Sequence, residues 1–369
     1  MKNLFYFLIV PILLISCQRD LSKVDFIGYD ESQELIQNQS HENPRMRFKL
    51  IQSKFNDMNT VFAPFEKELA RFSEEDYQNL EPYILEKNIP EIQESVKNRI
   101  LSYEQITLFY LYRIRKFESD STKSLNSIIT LNPNVIEEAR LKDRSPREHD
   151  NNSLYGLPIL LKDNINTEGM PTTAGAFALL DNKNTNDAFI VKKLKEKGAL
   201  ILGKANLSEW AYYFCTGCPL GYSAVGGQTL NPYGRGLFET GGSSSGSGVS
   251  VAANYAVAAV GTETSGSILS PSSKNSVVGL KPTIGLLSRS GIVPISSTLD
   301  TPGPMTKSVI DNAIFLEAML GEDSEDVATI GVKYADDYLE GLSVATLKDK
   351  RIGVMNTLLI DSIYKQSVE

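Results

Sequence analysis

Two serine- and glycine-rich segments constrain this chain more than any other feature. They are Gly241-Gly-Ser-Ser-Ser-Gly-Ser-Gly248 and Gly261-Thr-Glu-Thr-Ser-Gly-Ser-Ile268. Between them, Ser247–Asn254 has the small residues of a closely packed helix, and Ala256–Val260 has the apolar run of a buried strand. A flexible linker is the simplest alternative for such composition, but ordered elements follow each turn directly. The pattern therefore favours two ordered turns that bring serines into one pocket.

A serine hydroxyl is a weak nucleophile until a base removes its proton. The chain has two histidines, His41 and His149, and both precede the serine region. The match of Gly242–Gly246 to a nucleophile elbow centred on Ser244 fails, because that fold places its histidine after the nucleophile. A phosphate loop fails too, since no Gly-Lys-Ser/Thr closes the segment.

Lysine is the better candidate for the base. Lys162 follows the apolar run Pro158–Leu161, so we expect it to emerge from the end of a buried strand. Burial disfavours the ammonium form, so a buried lysine can be neutral near pH 7 and able to accept a proton. The alternative is an ordinary strand-end lysine paired with a carboxylate such as Asp163, and the spacing alone does not decide between the two.

The apolar pattern predicts an α/β fold in the second half of the chain. At 369 residues, with 41% hydrophobic and 22% charged residues, the chain can bury a large core. Val191–Lys197, closed by Gly198 and followed by Ala199–Gly203, predicts a helix, a turn and a strand. Four short apolar runs predict strands of a parallel or mixed sheet: Leu157–Leu161, Ala199–Leu202, Ala256–Val260 and Arg351–Met355.

The region before the α/β pattern is predicted to be helical. Arg45–Leu69 and Gln93–Phe117 have apolar residues at three- and four-residue spacing, within a charged stretch that runs from about residue 30 to 118. Ser102-Tyr-Glu-Gln105 predicts a capping box at the start of a helix. Asn134–Lys142 predicts another helix after Asn132-Pro133.

The N-terminus resembles an export signal. Leu4–Ser16 is apolar but short for a membrane span, and it ends in Leu14-Ile15-Ser16-Cys17, which is similar to the lipobox of bacterial lipoproteins. We therefore expect residues 1–17 to be a lipoprotein signal peptide, with Cys17 as the lipidation site and a membrane anchor on the periplasmic side. An ordinary signal peptide or membrane anchor with an incidental cysteine is the alternative. Residues 18–95 would form a tether and an N-terminal helical extension.

Charge and cysteine content exclude some classes of function. Lys+Arg 37 against Asp+Glu 45 gives a net charge of −8 without a basic cluster, so nucleic-acid binding is disfavoured. Cys215-Thr-Gly-Cys218 has no second CxxC or histidine pair to complete a zinc site. The two cysteines form either a local disulfide or two free thiols.

Residues from about 100 to the end resemble the amidase signature family. The resemblance is carried by blocks in the family's order: Gly156-Leu-Pro-Ile-Leu-Leu-Lys-Asp-Asn164, Gly241–Gly248, Gly261–Ser267, Val278-Gly-Leu-Lys-Pro-Thr283 and Asp300-Thr-Pro-Gly-Pro-Met305. It implies a mixed central sheet flanked by helices over residues 96–369, preceded by the helical region. It also implies that a C-terminal part of that domain is missing.

The resemblance implies roles for particular residues. Ser267 would be the nucleophile, Ser243 a bridging serine on a cis peptide bond after Gly242, and Lys162 the base. Backbone N–H groups of Thr264, Ser265 and Gly266, together with that of Ser267, would bind the oxyanion. Ser244 and Ser245 would be hydrogen-bonding neighbours. The family's chemistry needs no metal and no organic cofactor.

We therefore predict a carboxamide-hydrolysing amidase, closest to the peptide-amidase-like branch, acting on a small-molecule or peptide amide. Ser265, Leu269 and Ser276 depart from the commonest family pattern and leave the substrate unassigned. One alternative is a cytoplasmic amidotransferase A subunit, which the export signal disfavours. The other is a catalytically silent lipoprotein that binds a ligand on this scaffold. The oligomeric state is open.

Overall fold

The computed structural model describes residues 30–120, 122–145, 150–335, 337–342 and 344–353. The predicted signal peptide with Cys17, His149 and the end of the strand predicted over Arg351–Met355 lie outside these residues. Residues 351–353, the described part of that predicted strand, form no helix or strand. The chain divides into two compact units, residues 1–335 and 336–369. The described residues of the second unit contain turns but no helix or strand.

The first unit contains the helices and strands of the described residues. The α-helices are α1 (Ser32–Asn38), α2 (Met58–Phe62), α3 (Glu66–Leu69), α4 (Glu74–Ile84), α5 (Ile89–Lys97), α6 (Tyr103–Glu118), α7 (Val135–Arg144), α8 (Phe189–Glu196), α9 (Ser245–Ala252), α10 (Leu269–Lys274) and α11 (Val309–Met319). The strands are β1 (Ile128–Leu131), β2 (Pro158–Lys162), β3 (Leu200–Ala205), β4 (Tyr222–Ser223), β5 (Gly227–Gln228), β6 (Ala258–Glu263), β7 (Val278–Gly279) and β8 (Thr301–Thr306). Short 3-10 helices cover Pro44–Met46, Ala63–Phe65, Phe177–Leu179, Glu209–Tyr212 and Val327–Thr329.

The central sheet is mixed, as the sequence predicts. Its strand order is β1-β3-β2-β6-β8-β7, and β4 pairs with β5 in a separate two-stranded ribbon. The three middle strands β3, β2 and β6 run parallel, and the outer strands pair antiparallel. Every residue of β2, β3, β6 and β8 is buried, which is typical of a sheet covered by helices on both faces.

The helix, turn and strand predicted after Val191 are confirmed. α8 ends at Glu196, Gly198 turns the chain with a φ of +87°, and β3 follows. A Cβ atom on Gly198 would lie 2.5 Å from the Tyr155 ring, so the turn excludes a larger residue. The small-residue helix is also confirmed as α9, where a Cβ atom on Gly246 would lie 2.4 Å from the backbone of Asn206.

The helical pattern predicted over Arg45–Leu69 is wrong in its first half. Residues 47–57 are irregular, and the first α-helix within this stretch is α2. Tertiary pairing explains the difference, because the Ile51 carbonyl accepts hydrogen bonds from the Gln228 N–H (2.8 Å) and from Asn126 Nδ2 (3.1 Å). The pattern over Gln93–Phe117 is divided into α5 and α6, and the Ser102 capping box of α6 is confirmed.

The sheet topology brings the ends of two strands, β2 and β6, to one edge of the sheet. β2 and β6 are parallel neighbours, with Leu161 opposite Val260. The carboxyl ends of adjacent parallel strands lie at one edge of a sheet, where α/β proteins bind their ligands. Lys162 is the last residue of β2, and Glu263 is the last residue of β6. None of the helices in the described residues combines the length and the apolar composition of a membrane span.

Candidate active site

Lys162 is fully buried and its side chain contacts only neutral oxygens by hydrogen bonding. Its Nζ lies 2.8 Å from Ser243 Oγ, 2.8 Å from Thr262 Oγ1 and 3.1 Å from the Thr262 carbonyl. Burial lowers the pKa of Lys162 to about 7, against the opposing effect of the negative charges on Glu263 and Asp300. Nζ donates to these oxygens, and when the amine is neutral its lone pair can accept from the Ser243 hydroxyl instead. The geometry suits a base that works near neutral pH.

Asp163, the alternative partner of Lys162, faces the other way. Successive side chains of an extended chain point to opposite sides. The Asp163 carboxylate lies 3.1 Å from Nζ of the buried Lys204, and it also accepts from the hydroxyl and the N–H of Thr173. The interpretation of Lys162 as a lysine paired with Asp163 is therefore wrong. Lys162 forms no ion pair within the described residues.

The Ser243 hydroxyl is buried beside Lys162 because tight glycine turns bring the chain there. The peptide bond between Gly242 and Ser243 is cis, the geometry that the resemblance implies. Gly241 has a φ of +66°, and a Cβ atom on Gly242 would lie 2.6 Å from Ser208 Oγ. The Ser243 carbonyl accepts from the Ser208 N–H at 3.0 Å, which fixes the segment to the loop after β3.

Ser244 joins the two serine segments to each other. Its hydroxyl donates to the Thr262 carbonyl and accepts from the Thr262 N–H, both at 3.1 Å. Its own N–H donates to the Ser267 carbonyl at 3.1 Å. The hydrogen-bonding role expected for Ser244 is present. The same expectation for Ser245 is wrong, since its buried hydroxyl has no hydrogen-bond partner within the described residues.

Ser267 lies in the turn between β6 and α10, nearly buried. The backbone hydrogen bond from Ser244 holds it next to Ser243. The structure thus puts Lys162 and Ser243 in direct contact and Ser267 beside them. In the described part of the chain no hydrogen bond links Ser267 Oγ to Ser243 Oγ. Hydrogen bonds of catalytic groups are often long without substrate.

Glu263 organises the turn that carries Ser267. Its buried carboxylate accepts from the backbone N–H groups of Gly266 (2.7 Å), Ile268 (2.7 Å) and Leu269 (2.9 Å). The N–H of Gly266, expected to face an oxyanion, therefore has an acceptor already. Three residues of the turn remain. Within the described residues, the backbone N–H groups of Thr264, Ser265 and Ser267 have no hydrogen-bond acceptor. Three N–H donors therefore stay available around Ser267.

Three residues of the site were missed by the sequence analysis. Thr262 contacts Lys162, and its hydroxyl also accepts from Asn164 Nδ2 at 3.0 Å, while Glu263 holds the turn. All three lie inside segments that the resemblance had singled out. A carboxylate just before a Gly-Ser turn that opens a helix was the available signal, because such a group can accept the free N–H groups of the first helical turn.

Two neighbouring cavities open at this edge of the sheet. The first, of about 230 Å³, is bordered by Thr262, Glu263 and Thr264 and by the polar residues Arg289 and Asp300. The second, of about 410 Å³, is bordered by aromatic and aliphatic side chains. Cys215 and Cys218 form a disulfide. In the sequence they lie close to residues that border the second cavity. Among the described residues, no three His, Cys, Asp or Glu side chains cluster so as to hold a metal ion.

Comparison with known proteins points to one family. The family model described as Amidase matches residues 105–368. A probable amidase of Arabidopsis thaliana is 43% identical over 283 residues, which are 74% of this chain and 54% of that protein. The chain spans about half the length of the curated relatives it matches. The A subunits of two glutamyl-tRNA(Gln) amidotransferases are less similar to this chain, at 36% identity.

Solved structures give the same result. An amidase family protein from Bacillus anthracis matches with a TM-score of 0.74 and 44% identity, covering 79% of this chain and 58% of that chain. The peptide amidase from Stenotrophomonas maltophilia matches with a TM-score of 0.65 and 45% identity, covering 69% and 52%.

Proposed function

The chain belongs to the amidase family, and on that premise we propose that it hydrolyses a carboxamide through an acyl-enzyme on Ser267. The observation that supports this most is the buried Lys162, whose Nζ lies 2.8 Å from Ser243 Oγ without a carboxylate partner. A buried lysine without a hydrogen-bonded carboxylate tends to lose its proton, and a lysine whose pKa is shifted in this way is a candidate base.

The reaction starts with attack by Ser267 Oγ on the amide carbon. The proton of Ser267 passes to Ser243 Oγ as the proton of Ser243 passes to Lys162 Nζ, so the charge of the pocket is conserved. The carbonyl oxygen becomes an oxyanion that accepts from the backbone N–H groups of the nucleophile turn. Removal of one such donor typically costs about 3 kcal/mol of transition-state stabilisation.

The second half of the reaction uses the same relay in reverse. The C–N bond breaks, and the leaving nitrogen receives the proton from Lys162 through Ser243, so it departs as ammonia or a neutral amine. A water molecule then attacks the ester on Ser267 while giving its proton to the relay. Collapse of that intermediate releases the carboxylic acid and restores the three side chains.

The test is release of ammonia from a panel of amides by the full chain. The panel contains aliphatic and aromatic amides, C-terminal peptide amides and glutamine. Ser267→Ala and Ser243→Ala are expected to lower the rate by at least about 10³-fold. Ser245→Ala is the matched control, because that serine is buried nearby but has no hydrogen-bond partner in the described residues.

Each alternative has its own outcome in this test. Hydrolysis confined to glutamine would favour the amidotransferase A subunit. A folded chain that releases nothing and resists a fluorophosphonate would be a silent binding scaffold. The identities of 44% and 45% to the amidase structures, against 36% for the amidotransferase subunits, support the amidase.

We further propose that Cys17 carries a lipid that tethers the protein outside the cytoplasm. The support is the apolar run Leu4–Ser16 that ends at this cysteine. In cells fed a labelled fatty acid, the label should enter the wild-type chain and not Cys17→Ser. Equal labelling of both chains, or of neither, would contradict the proposal.

A further inference from the structure

An aromatic segment, Trp210–Phe214, lies beside the proposed active site. Its two outermost rings are strongly exposed, with 63% of Tyr213 and 73% of Phe214 accessible to solvent. The Phe214 ring packs edge-on against two neighbours. Its centroid lies 5.8 Å from that of the Trp210 ring and 5.0 Å from that of the Tyr213 ring. A cluster of exposed rings on a folded surface marks a place where another molecule binds, and a cavity beside it favours a small ligand.

The aromatic segment borders the cavity of about 410 Å³, together with Val293, Pro294 and Ile295. This cavity shares five residues with the cavity of about 230 Å³ that reaches the nucleophile turn: Asn164, Ala211, Val293, Pro294 and Ile295. An amide whose carbonyl sits at the turn would therefore extend its next substituent along the rings.

The backbone of the segment is held in an uncommon conformation. Trp210, Ala211 and Tyr212 have φ angles of 51°, 53° and 73°, in the left-handed region that residues with side chains seldom adopt. The Trp210 N–H donates to the Ala174 carbonyl at 2.8 Å. Residues in this region persist where the surrounding structure enforces them, and they cluster at ligand clamps.

The disulfide closes the segment on its other side. Cys215, which follows Phe214 directly, is bonded to Cys218, and the Tyr212 hydroxyl donates to the Cys218 carbonyl at 2.8 Å. The loop that carries the exposed rings is therefore tied at both ends. An exposed ring that is held in place loses little conformational entropy when a ligand packs against it.

We propose that Trp210, Tyr213 and Phe214 form a subsite for an uncharged aromatic or apolar substituent of the amide substrate, and that the Cys215–Cys218 disulfide keeps this subsite in shape. The substituent is uncharged because no charged side chain among the described residues borders the cavity of about 410 Å³, whose lining is apolar or aromatic apart from Asn164. The subsite rests on the proposed function for its role in catalysis, but not for its ability to bind.

The kinetic test compares two C-terminal amides, N-acetyl-phenylalaninamide and N-acetyl-alaninamide. The full chain should hydrolyse the first with the higher kcat/KM. Tyr213→Ala/Phe214→Ala should lower that preference about tenfold. Tyr233→Ala/Phe238→Ala is the matched control, since it removes two exposed rings that border neither cavity. An unchanged preference in the first variant would overturn the subsite.

A binding test separates the subsite from the enzyme activity. Trp210 is the single tryptophan of the chain, so its fluorescence reports directly on this subsite. In Ser267→Ala, N-acetyl-phenylalaninamide should change the fluorescence in a saturable way, and N-acetyl-alaninamide should bind about tenfold more weakly. Binding without hydrolysis by the wild type would support the subsite and refute the proposed function. No change with either amide would overturn the subsite.

The role of the disulfide is tested with a dithiol. Dithiothreitol would reduce the bond to two thiols while becoming a cyclic disulfide itself. Binding of N-acetyl-phenylalaninamide should then weaken several-fold, and Cys215→Ser/Cys218→Ser should show the same weakening without a response to dithiothreitol. Unchanged binding in the reduced protein would refute the role of the disulfide.

Discussion

Two buried lysines lie on adjacent strands of the same sheet, and the fold treats them differently. Lys162 ends β2, and Lys204 lies on β3 opposite Leu161. Both are fully buried. Lys204 has the Asp163 carboxylate 3.1 Å away, whereas Lys162 has two hydroxyls and a carbonyl. This difference in partners is the ground on which we propose Lys162, and not Lys204, as the base.

The physical reason is the cost of burying a charge. Burial lowers the pKa of both lysines, and for Lys204 the adjacent Asp163 opposes that effect directly. An ammonium with a carboxylate partner can stay charged in the interior, while one without it tends to lose its proton. We therefore expect Lys204 to serve the stability of the fold and Lys162 to serve the proposed reaction.

The largest effect is expected from Lys162→Met. Activity on any amide substrate should fall by at least about 10³-fold, because the relay loses its proton acceptor. The free energy of unfolding should stay within about 1 kcal/mol of the wild type or rise, since methionine fills the space without a charge to desolvate. Steady-state kinetics and urea denaturation measure the two quantities. A strong loss of stability would mean that Lys162 is structural.

Lys204→Met should do the opposite. It leaves the Asp163 carboxylate buried without its cation, so the free energy of unfolding should fall by about 3–5 kcal/mol. Folded molecules should retain most of their activity per active site. In the double variant Lys204→Met/Asp163→Asn, part of the stability should return, because both charges are gone. A stable single variant would contradict the assignment of this pair.

The pH dependence should sharpen the contrast. Because the pKa of Lys162 is lowered to about 7, kcat/KM should rise about tenfold per pH unit below 7 and level off above it. The unfolded chain binds a proton at Lys162 up to its ordinary pKa of 10.5, and the folded chain does not. The stability of the wild type relative to Lys162→Met should therefore increase between about pH 7 and 10.5. A flat rate profile across neutral pH would argue against Lys162 as the base.

Thr262→Val should have the smallest effect. The Thr262 hydroxyl contacts Lys162 and accepts from Asn164, and the valine leaves both side chains with one partner fewer. We expect a loss of about 1–2 kcal/mol in unfolding free energy and at most about a tenfold loss of activity. Thermal denaturation and kinetics on the same preparation provide the measurement. A loss as large as that of Lys162→Met would show that Thr262 takes part in the relay itself.

Local signals made much of the fold predictable. The helix-turn-strand unit around Gly198 and the small-residue helix α9 were predicted because each is specified by neighbouring residues. The region around Ile51 was not, because its carbonyl is bound by Asn126 and Gln228, which are far away in the sequence. Apolar spacing cannot report a tertiary pairing of this kind.

The residues of the site, like the fold, could be predicted only in part from the sequence. Lys162, Ser243 and Ser267 could be proposed from their motifs, and the structure puts the first two in contact. The choice between Ser243 and Asp163 as the neighbour of Lys162 could not be made from spacing. It depends on the strand order, which brings Lys204 to Asp163 and the serine turn to Lys162.

The most direct test of the neutral-lysine base is the labelling of Ser267 by a fluorophosphonate, followed by mass spectrometry. In the folded wild-type chain the labelling rate should rise with pH through about 7. It should fall by at least about 10³-fold in Lys162→Met and change little in Lys204→Met. Equal labelling of wild type and Lys162→Met, or a folded wild type that resists the probe at every pH, would contradict the account.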